Sequence, residues 1–121
     1  MDYSKYKMYI LINEWVEPGY AACSSAHGAM MIQDLLSGTQ PFDGWKKESF
    51  KKFTCAMSNS EMELAKRVLI NNNIRYIDVN ESNLGCEHIL TIVEPIDASR
   101  HELKAFKFFR PYNTNNIKIK Q

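Results

Sequence analysis

A histidine near the start of a predicted helix is the side chain in this sequence best suited to proton transfer. His27 lies in a segment of small residues that follows Pro18, and at helical spacing it shares one stripe with Tyr20, Ser24 and Met31. An imidazole, with a pKa near ~6.5, exchanges protons at neutral pH. A polar stripe at the start of a helix that follows a strand is where α/β folds commonly place ligands. The stripe therefore predicts a candidate site.

Each of these residues also has a structural interpretation. A histidine in a helix packed on a sheet is often a hydrogen-bonded core residue, so His27 fits either role. Ser24 fits a small packing residue, and Tyr20 fits an aromatic at a helix entry. Glu81 follows a later strand and fits a solvated loop carboxylate.

Metal and thiol chemistry have weaker support in the spacing. Cys23 and His27 are four apart, and Cys86 and His88 form a second short pair, but a metal site needs three or four converging ligands. We therefore expect no metal. The helix that carries Cys23 is expected to face the core, where a thiol is inert. Three cysteines, one of them Cys55, without a CxxC pair fit a reducing compartment.

Length and charge limit the classes of protein that fit. The chain has 121 residues, 45% of them hydrophobic and 24% charged, with a net charge of +1. These values indicate a single domain over residues 1–121, with a core at about 6–112 and a polar tail at 113–121. The net charge gives no general attraction for nucleic acid, so RNA binding would need a local patch. No signal-peptide core or membrane-length apolar run is present, which predicts a cytoplasmic protein.

Hydrophobic alternation and turn signals divide the chain into four strands and three helices. The predicted strands are 7–13, 53–57, 74–79 and 87–94; the predicted helices are 20–36, one that follows a capping box at Ser58 to Glu61, and a short one from about Ala98 to 109. Residues 117–120 also fit an edge strand, and 45–52 fits either a short helix or an extended segment. The order predicts an α/β fold, a three-layer α/β/α domain with a small mixed four-stranded sheet.

Two groups of basic residues alternate with aromatic residues. Cations beside aromatic rings can bind phosphates and stack on unpaired bases, although a solvated lysine face backed by core aromatics has the same pattern. The candidate RNA-binding residues are Lys46, Lys47, Lys51, Lys52, Lys104, Lys107 and Arg110.

Four segments resemble the type II peptidyl-tRNA hydrolases and their divergent bacterial and phage relatives. Gly19 to Ala29 is similar to that family's G-K-x-A-A-Q-x-x-H-A helix start, and Phe50 to Cys55 is similar to its second strand. Val79 to Ser82 lies where the family has an I-x-D-A-G loop, and Lys104 to Phe109 is similar to its closing L-K-L-L segment. The order and spacing match over roughly residues 6–112.

The resemblance implies a hydrolase that cleaves the ester between a peptide and the 3′ end of tRNA, without a metal or organic cofactor. Such a reaction needs a group that takes a proton from water and donors for the oxyanion. His27 is the candidate base, Glu81 would orient it or the water, and Ser24 and Tyr20 would donate hydrogen bonds. The chain has Tyr20, Ser24 and Glu81 where the family motifs have lysine, glutamine and aspartate; only His27 is kept.

Two other functions fit the sequence. The replaced lysine and glutamine are compatible with a binding module that recognises tRNA or protein without hydrolysis. The apolar part of the first helix, at Met30 and Met31, is compatible with self-association as a homodimer.

Overall fold

The computed structural model describes residues 2–81, 87–100 and 110–112. Within them the chain forms a mixed sheet with helices packed against it. In chain order the elements are β1 (Tyr6–Asn13), α1 (Pro18–Leu36), α2 (Phe42–Lys47), β2 (Lys51–Met57), α3 (Asn59–Asn71), β3 (Tyr76–Glu81), β4 (Glu87–Val93), β5 (Ile96–Asp97) and β6 (Arg110–Pro111). The prediction of a mixed α/β fold is confirmed.

The order of the strands brings three carboxyl ends to one edge of the sheet. The strands lie in the order β3-β4-β1-β2-β6, and β5 also pairs with β1. β1 is parallel to β2 and antiparallel to β4, and β4 is antiparallel to β3, so β1, β2 and β3 run in the same direction. Their last residues, Asn13, Met57 and Glu81, therefore lie at the same edge, which we call the carboxyl edge. The four predicted strands are present, and two strands of two residues each extend the described sheet beyond them.

Alternation along β1 divides the core into two clusters. Ile10 and Ile12 pack with buried residues of α1, α2 and β4, including Ile32 and Trp45. Leu11, between them, packs with buried residues of β2 and α3. Because successive side chains of a strand point to opposite faces, α1 and α3 lie against opposite faces of the sheet.

The ends of α1 follow the sequence closely. Pro18 occupies the first turn, where its missing N–H removes no intrahelical hydrogen bond. At the other end Ser37 donates its backbone N–H to the carbonyl of Gln33. Gly38 follows with a φ of 88°, a left-handed conformation that glycine adopts without steric cost. The helix therefore ends where the turn-rich segment begins, as predicted.

A glycine in the middle of α1 allows the helix to lie close to the sheet. A Cβ atom at Gly28 would overlap the Cδ1 atom of Ile92 and would lie 2.9 Å from Cγ2 of Val79. The buried stripe of α1 consists of Ala21, Ser24, Gly28, Ile32 and Leu36. Small side chains thus permit a close approach of α1 to the sheet, and Gly28 is where it occurs.

The helix α3 begins with the predicted capping box. The Ser58 hydroxyl accepts from the backbone N–H of Glu61 at 3.2 Å, and the Glu61 carboxylate accepts from the N–H of Ser58 at 2.8 Å. Met62, Ala65 and Leu69 form its buried stripe. This reciprocal cap fixes the start of α3 at the carboxyl edge.

Three segments differ from the sequence-based boundaries. Residues 42–47 form α2 because Phe42 and Trp45, one turn apart, are both buried. β3 continues through Asn80 and Glu81, which were assigned to a loop, because both pair with β4. A short strand, β6, forms at Arg110 and Pro111, where no strand was predicted, because Pro111 pairs with Cys55 of β2.

The predicted C-terminal helix and edge strand fall largely outside the described residues. Ala98 and Arg100 belong to a turn in which Arg100 donates its N–H to the carbonyl of Asp97 at 3.2 Å. Residues 101–109 and 117–120 are not described.

Across residues 2–81, 87–100 and 110–112, no helix combines the length and the apolar character that crossing a membrane requires.

Candidate functional site

The structure brings together three of the four residues that the sequence assigned to a catalytic site. The hydroxyl of Ser24 donates a hydrogen bond to Oε1 of Glu81 at 2.8 Å. The same Oε1 lies 3.7 Å from Nδ1 of His27. The His27 side chain is 67% exposed, whereas the Glu81 side chain is 18% exposed. The site therefore consists of an accessible imidazole beside a largely enclosed carboxylate.

The packing of α1 on the sheet brings Ser24 and His27 close to Glu81 of β3. Ser24 belongs to the buried stripe of α1, and the next residue of that stripe, Gly28, contacts β3 and β4. Val79 faces α1 from β3, so Glu81, two residues later, points to the same face. His27 lies three positions after Ser24 and is therefore its neighbour on the helix surface. The close approach of α1 to the sheet thus sets the distance from Ser24 to Glu81.

Ser24 has a different role from the one expected. Its side chain is fully buried, and its hydroxyl proton is directed at Glu81 rather than at solvent. Ser24 therefore holds the carboxylate in place and is not available to donate a hydrogen bond to a substrate. Tyr20 lies one turn earlier and is exposed.

Four of the basic residues that the sequence grouped for RNA binding lie away from this site. Lys46 and Lys47 end α2, and Lys51 and Lys52 begin β2; all four are exposed. The start of β2 is separated from the carboxyl edge by the length of the strand, roughly 20 Å. The Lys52 ammonium lies 3.2 Å from the centre of the Phe50 ring.

Arg110 does lie near the carboxyl edge, but two carboxylates already pair with it. Its Nη2 atom lies 2.9 Å from Glu14 and 3.0 Å from Glu61. Lys104 and Lys107 are outside the described residues. Their proposed role in RNA binding, and that of the four lysines near α2, stays a prediction.

The environment of Cys23 corrects the sequence-based expectation. Its side chain is exposed, although the helix was expected to face it toward the core. The buried stripe of α1 is rotated away from Cys23, which lies on the same side as the exposed Met30. Within the described ranges no three His, Cys, Asp or Glu side chains are grouped so that they could hold a metal ion.

A second polar cluster, which the sequence did not reveal, lies on the opposite face of the sheet. Nδ2 of Asn13 donates to the backbone carbonyl of His88 at 2.6 Å and lies 3.2 Å from Nδ1 of the His88 ring. Nε2 of His88 lies 2.9 Å from the Thr91 hydroxyl, which donates to Oδ1 of Asp78 at 2.6 Å. Lys66 of α3 donates to Oδ2 of Asp78 at 3.0 Å.

The directions of these hydrogen bonds fix the tautomer of His88. Because Nδ2 of Asn13 is a donor, Nδ1 of His88 accepts and the ring proton is on Nε2. That proton is directed toward Thr91 and toward Asp78, whose Oδ1 lies 3.3 Å away. Burial alone would raise the pKa of Asp78, but the hydrogen bonds from His88, Thr91 and Lys66 outweigh it and hold the pKa well below its usual range.

A bulge in β4 explains why His88 and Thr91 share a face. Val79 pairs with Leu90 and Asn80 with His88, so Ile89 has no partner in β3. Residues three apart in a regular strand point to opposite faces, and one extra residue reverses that relation. No local sequence signal marks the bulge, and this is why the cluster escaped prediction.

Comparison of the sequence with known protein-family models and with curated proteins found no match.

Proposed function

We propose that this protein hydrolyses an ester, with His27 as the general base and Glu81 as the residue that orients it. The observation that carries the proposal is the position of Oε1 of Glu81, 2.8 Å from the Ser24 hydroxyl and 3.7 Å from Nδ1 of His27. A carboxylate held on one side by a buried hydroxyl is well placed to fix the orientation of an imidazole on its other side.

The proposed reaction follows from the protonation sites of the ring. Nδ1 of His27 is the ring nitrogen on the side of Glu81, 3.7 Å from its Oε1, so the proposal assigns the ring proton to Nδ1 and leaves Nε2 to accept a proton from water. That water attacks the carbonyl carbon of the ester, and the imidazolium then gives its proton to the departing alkoxide. Glu81 stabilises the imidazolium because a negative charge nearby favours the protonated ring. Tyr20, exposed one turn before Ser24, is the proposed donor to the oxyanion.

The proposed substrate is an ester of tRNA, as in the type II peptidyl-tRNA hydrolases. The resemblance of Gly19 to Ala29, which includes His27, supports this assignment. The fold is also compatible with it, because helices lie on both faces of a mixed sheet. A three-layer architecture like that of the family is part of this proposal.

A binding module without hydrolysis is the second candidate. Tyr20 carries no charge at neutral pH, and the exposed lysines of α2 and β2 are distant from His27, so neither supplies the attraction for phosphate that a lysine in the motif would supply. This arrangement favours RNA recognition at the basic surface of Lys46, Lys47, Lys51 and Lys52. It predicts tRNA binding that weakens steeply with salt and releases no acyl group.

An assay on charged tRNA separates the two candidates. Wild-type protein is incubated with N-acetyl-aminoacyl-tRNA and release of the labelled acyl group is followed. Loss of a general base is expected to lower the rate by about 10²- to 10⁴-fold in His27→Ala. Glu81→Gln, which keeps an acceptor for Ser24 but removes the charge, is expected to lower it less. Gln33→Ala, on the exposed side of the same helix, is the control.

Absence of release by the wild-type protein, with several charged tRNAs, would contradict the hydrolase proposal. Salt-sensitive binding of the same tRNAs without release would then support the binding module. Release that persists in His27→Ala would show that a different group takes the proton.

A further inference from the structure

An open cleft of about 520 Å³ lies at the carboxyl edge, on the face of the sheet opposite to His27. Its walls come from the turn after β1, from the first turns of α3 and from β4. The residues that line it include Asn13, Trp15, Met62, Glu63, Lys66 and His88. Since Glu81 and Ser24 lie on the α1 face, this cleft is separate from the proposed hydrolytic site.

Trp15 is a half-exposed aromatic ring on a fixed turn. Its side chain is 45% exposed. The neighbouring residues are anchored: Glu14 donates its N–H to the carbonyl of Met57 at 2.9 Å, and Val16 donates to that of Asn13 at 3.0 Å. Val16 is buried, and its carbonyl accepts a hydrogen bond from the Tyr112 hydroxyl. These hydrogen bonds hold the turn, which therefore presents the flat apolar surface of the Trp15 ring to solvent.

Asn13 supplies an acceptor on the wall of the cleft. The residue is only 4% exposed, and the nitrogen of its amide is directed at His88. Its Oδ1 atom accepts no hydrogen bond from the residues that the structure describes. No fully buried side-chain nitrogen or oxygen among those residues lacks a partner, and Asn13 lines the cleft, so this oxygen is placed where water or a ligand can donate to it.

The charges around the cleft select against an anion. Lys66 already donates to Asp78, and Glu63 adds a second carboxylate to the wall. One ammonium and two carboxylates thus give the surroundings a net negative charge, which repels a phosphate or carboxylate group.

We propose that this cleft binds an uncharged nucleobase, stacked on Trp15 with an amino group donating to Oδ1 of Asn13. Stacking on an exposed aromatic ring, together with hydrogen bonds to the base edge, is how proteins recognise unpaired bases. Met62 supplies an apolar contact beside the ring. The base can belong to a free nucleoside or to an unpaired nucleotide of an RNA strand, and the inference does not depend on ester hydrolysis at His27.

Binding can be followed by tryptophan fluorescence, because the chain has two tryptophans. Trp45 is buried, with its indole N–H bonded to the Lys51 carbonyl at 2.8 Å, and serves as an internal reference. Adenosine, AMP and tetraadenylate are each titrated into the full chain. We expect saturable quenching by adenosine and weaker binding of AMP, whose phosphate meets the carboxylates.

Two variants test the contacts. Trp15→Ala removes an exposed ring, so its binding is measured by calorimetry, and loss of the stacking is expected to weaken adenosine binding about fivefold or more. Asn13→Asp places a second carboxylate oxygen where the amide donated, and its folding is checked by circular dichroism. The control is Leu35→Ala, which truncates an exposed apolar side chain of α1 on the other face of the sheet, where no change is expected.

The source of the base follows from the three probes. Tighter binding of tetraadenylate than of adenosine, lost in Trp15→Ala, assigns the cleft to an RNA strand; the reverse order assigns it to a nucleoside. No saturable response to adenosine, or binding that is unchanged in Trp15→Ala, overturns the proposal. Loss of ester hydrolysis in His27→Ala has no bearing on either outcome.

Discussion

Gly28 of α1 and Ile92 of β4 approach so closely that no β-carbon fits between the helix and the side chain. Val79 of β3 lies almost as near, 2.9 Å from the position of that missing atom. This contact sets the height of α1 above the sheet, and with it the distance between Ser24 and Glu81. One glycine thus determines whether the candidate site can form.

The first prediction concerns Gly28→Ala. Forcing a methyl group into this packed contact is expected to cost about 1–3 kcal/mol, more than the roughly 1 kcal/mol that alanine contributes to helix propensity. The free energy of unfolding, measured by urea denaturation, should therefore fall. Gly19→Ala is the matched control, because nothing lies within 4 Å of its added β-carbon; it should be neutral or stabilising. Equal effects of both changes would contradict the close approach.

The second prediction concerns Ser24→Ala, which removes the buried donor to Glu81. A hydrogen bond to a charged group contributes roughly 1.5–3 kcal/mol, so the free energy of unfolding should fall by about that amount. Ser25→Ala, at the next position and partly exposed, should change it by less than about 0.5 kcal/mol. His27→Ala should likewise leave stability unchanged while it lowers the rate of any hydrolysis. A Ser24→Ala protein of wild-type stability would contradict the hydrogen bond.

Much of the fold was predictable because local patterns and tertiary packing agree. Hydrophobic alternation in β1 and β2, and the apolar stripe from Met62 to Leu69, indicate which face of each element is buried. The capping box at Ser58 indicates where α3 begins. The approach of His27 to Glu81 was predictable only through the resemblance, since the residues are far apart in the chain.

Other parts were hidden for physical reasons. Small residues occupy most positions from 21 to 29, so the first half of α1 has no clear hydrophobic phase, and Cys23 was assigned to the wrong face. In β4 the bulge at Ile89 interrupts the alternation of side chains between the two faces of the sheet. His88 therefore lies on the same face as Thr91 and Asp78. Such features are set by pairing with a distant strand and leave no trace in the local sequence.

The third prediction concerns the reactivity of two cysteines. Cys23 is exposed, whereas burial raises the pKa of Cys55 to about 12. Because the thiolate is the reactive form, a disulfide reagent at pH 8 should modify Cys23 quickly and Cys55 only on unfolding. The measurement is made in a Cys86→Ser background, and Cys23→Ser should remove the fast phase. A fast phase that survives in this double variant would contradict the burial of Cys55.

The fourth prediction concerns the pH dependence that Asp78 gives to stability. Hydrogen bonds from His88, Thr91 and Lys66 lower its pKa in the folded protein, so below about pH 4 the unfolded chain binds more protons than the folded chain. The stabilisation is therefore complete at neutral pH and is lost as the pH falls.

Asp78→Asn should remove this contribution while it keeps an acceptor for Thr91. At pH 7 the variant should be less stable by about 1 kcal/mol, a modest value because solvent screens the pair with Lys66. The difference in the free energy of unfolding should shrink as urea titrations are repeated toward pH 3. Asp34→Asn, on the exposed side of α1, is the control for a general charge effect. A difference in the free energy of unfolding between Asp78→Asn and wild type that stays constant over this range would contradict the prediction. It would show that neither the charge of Asp78 nor that of Lys66 contributes to stability at this site.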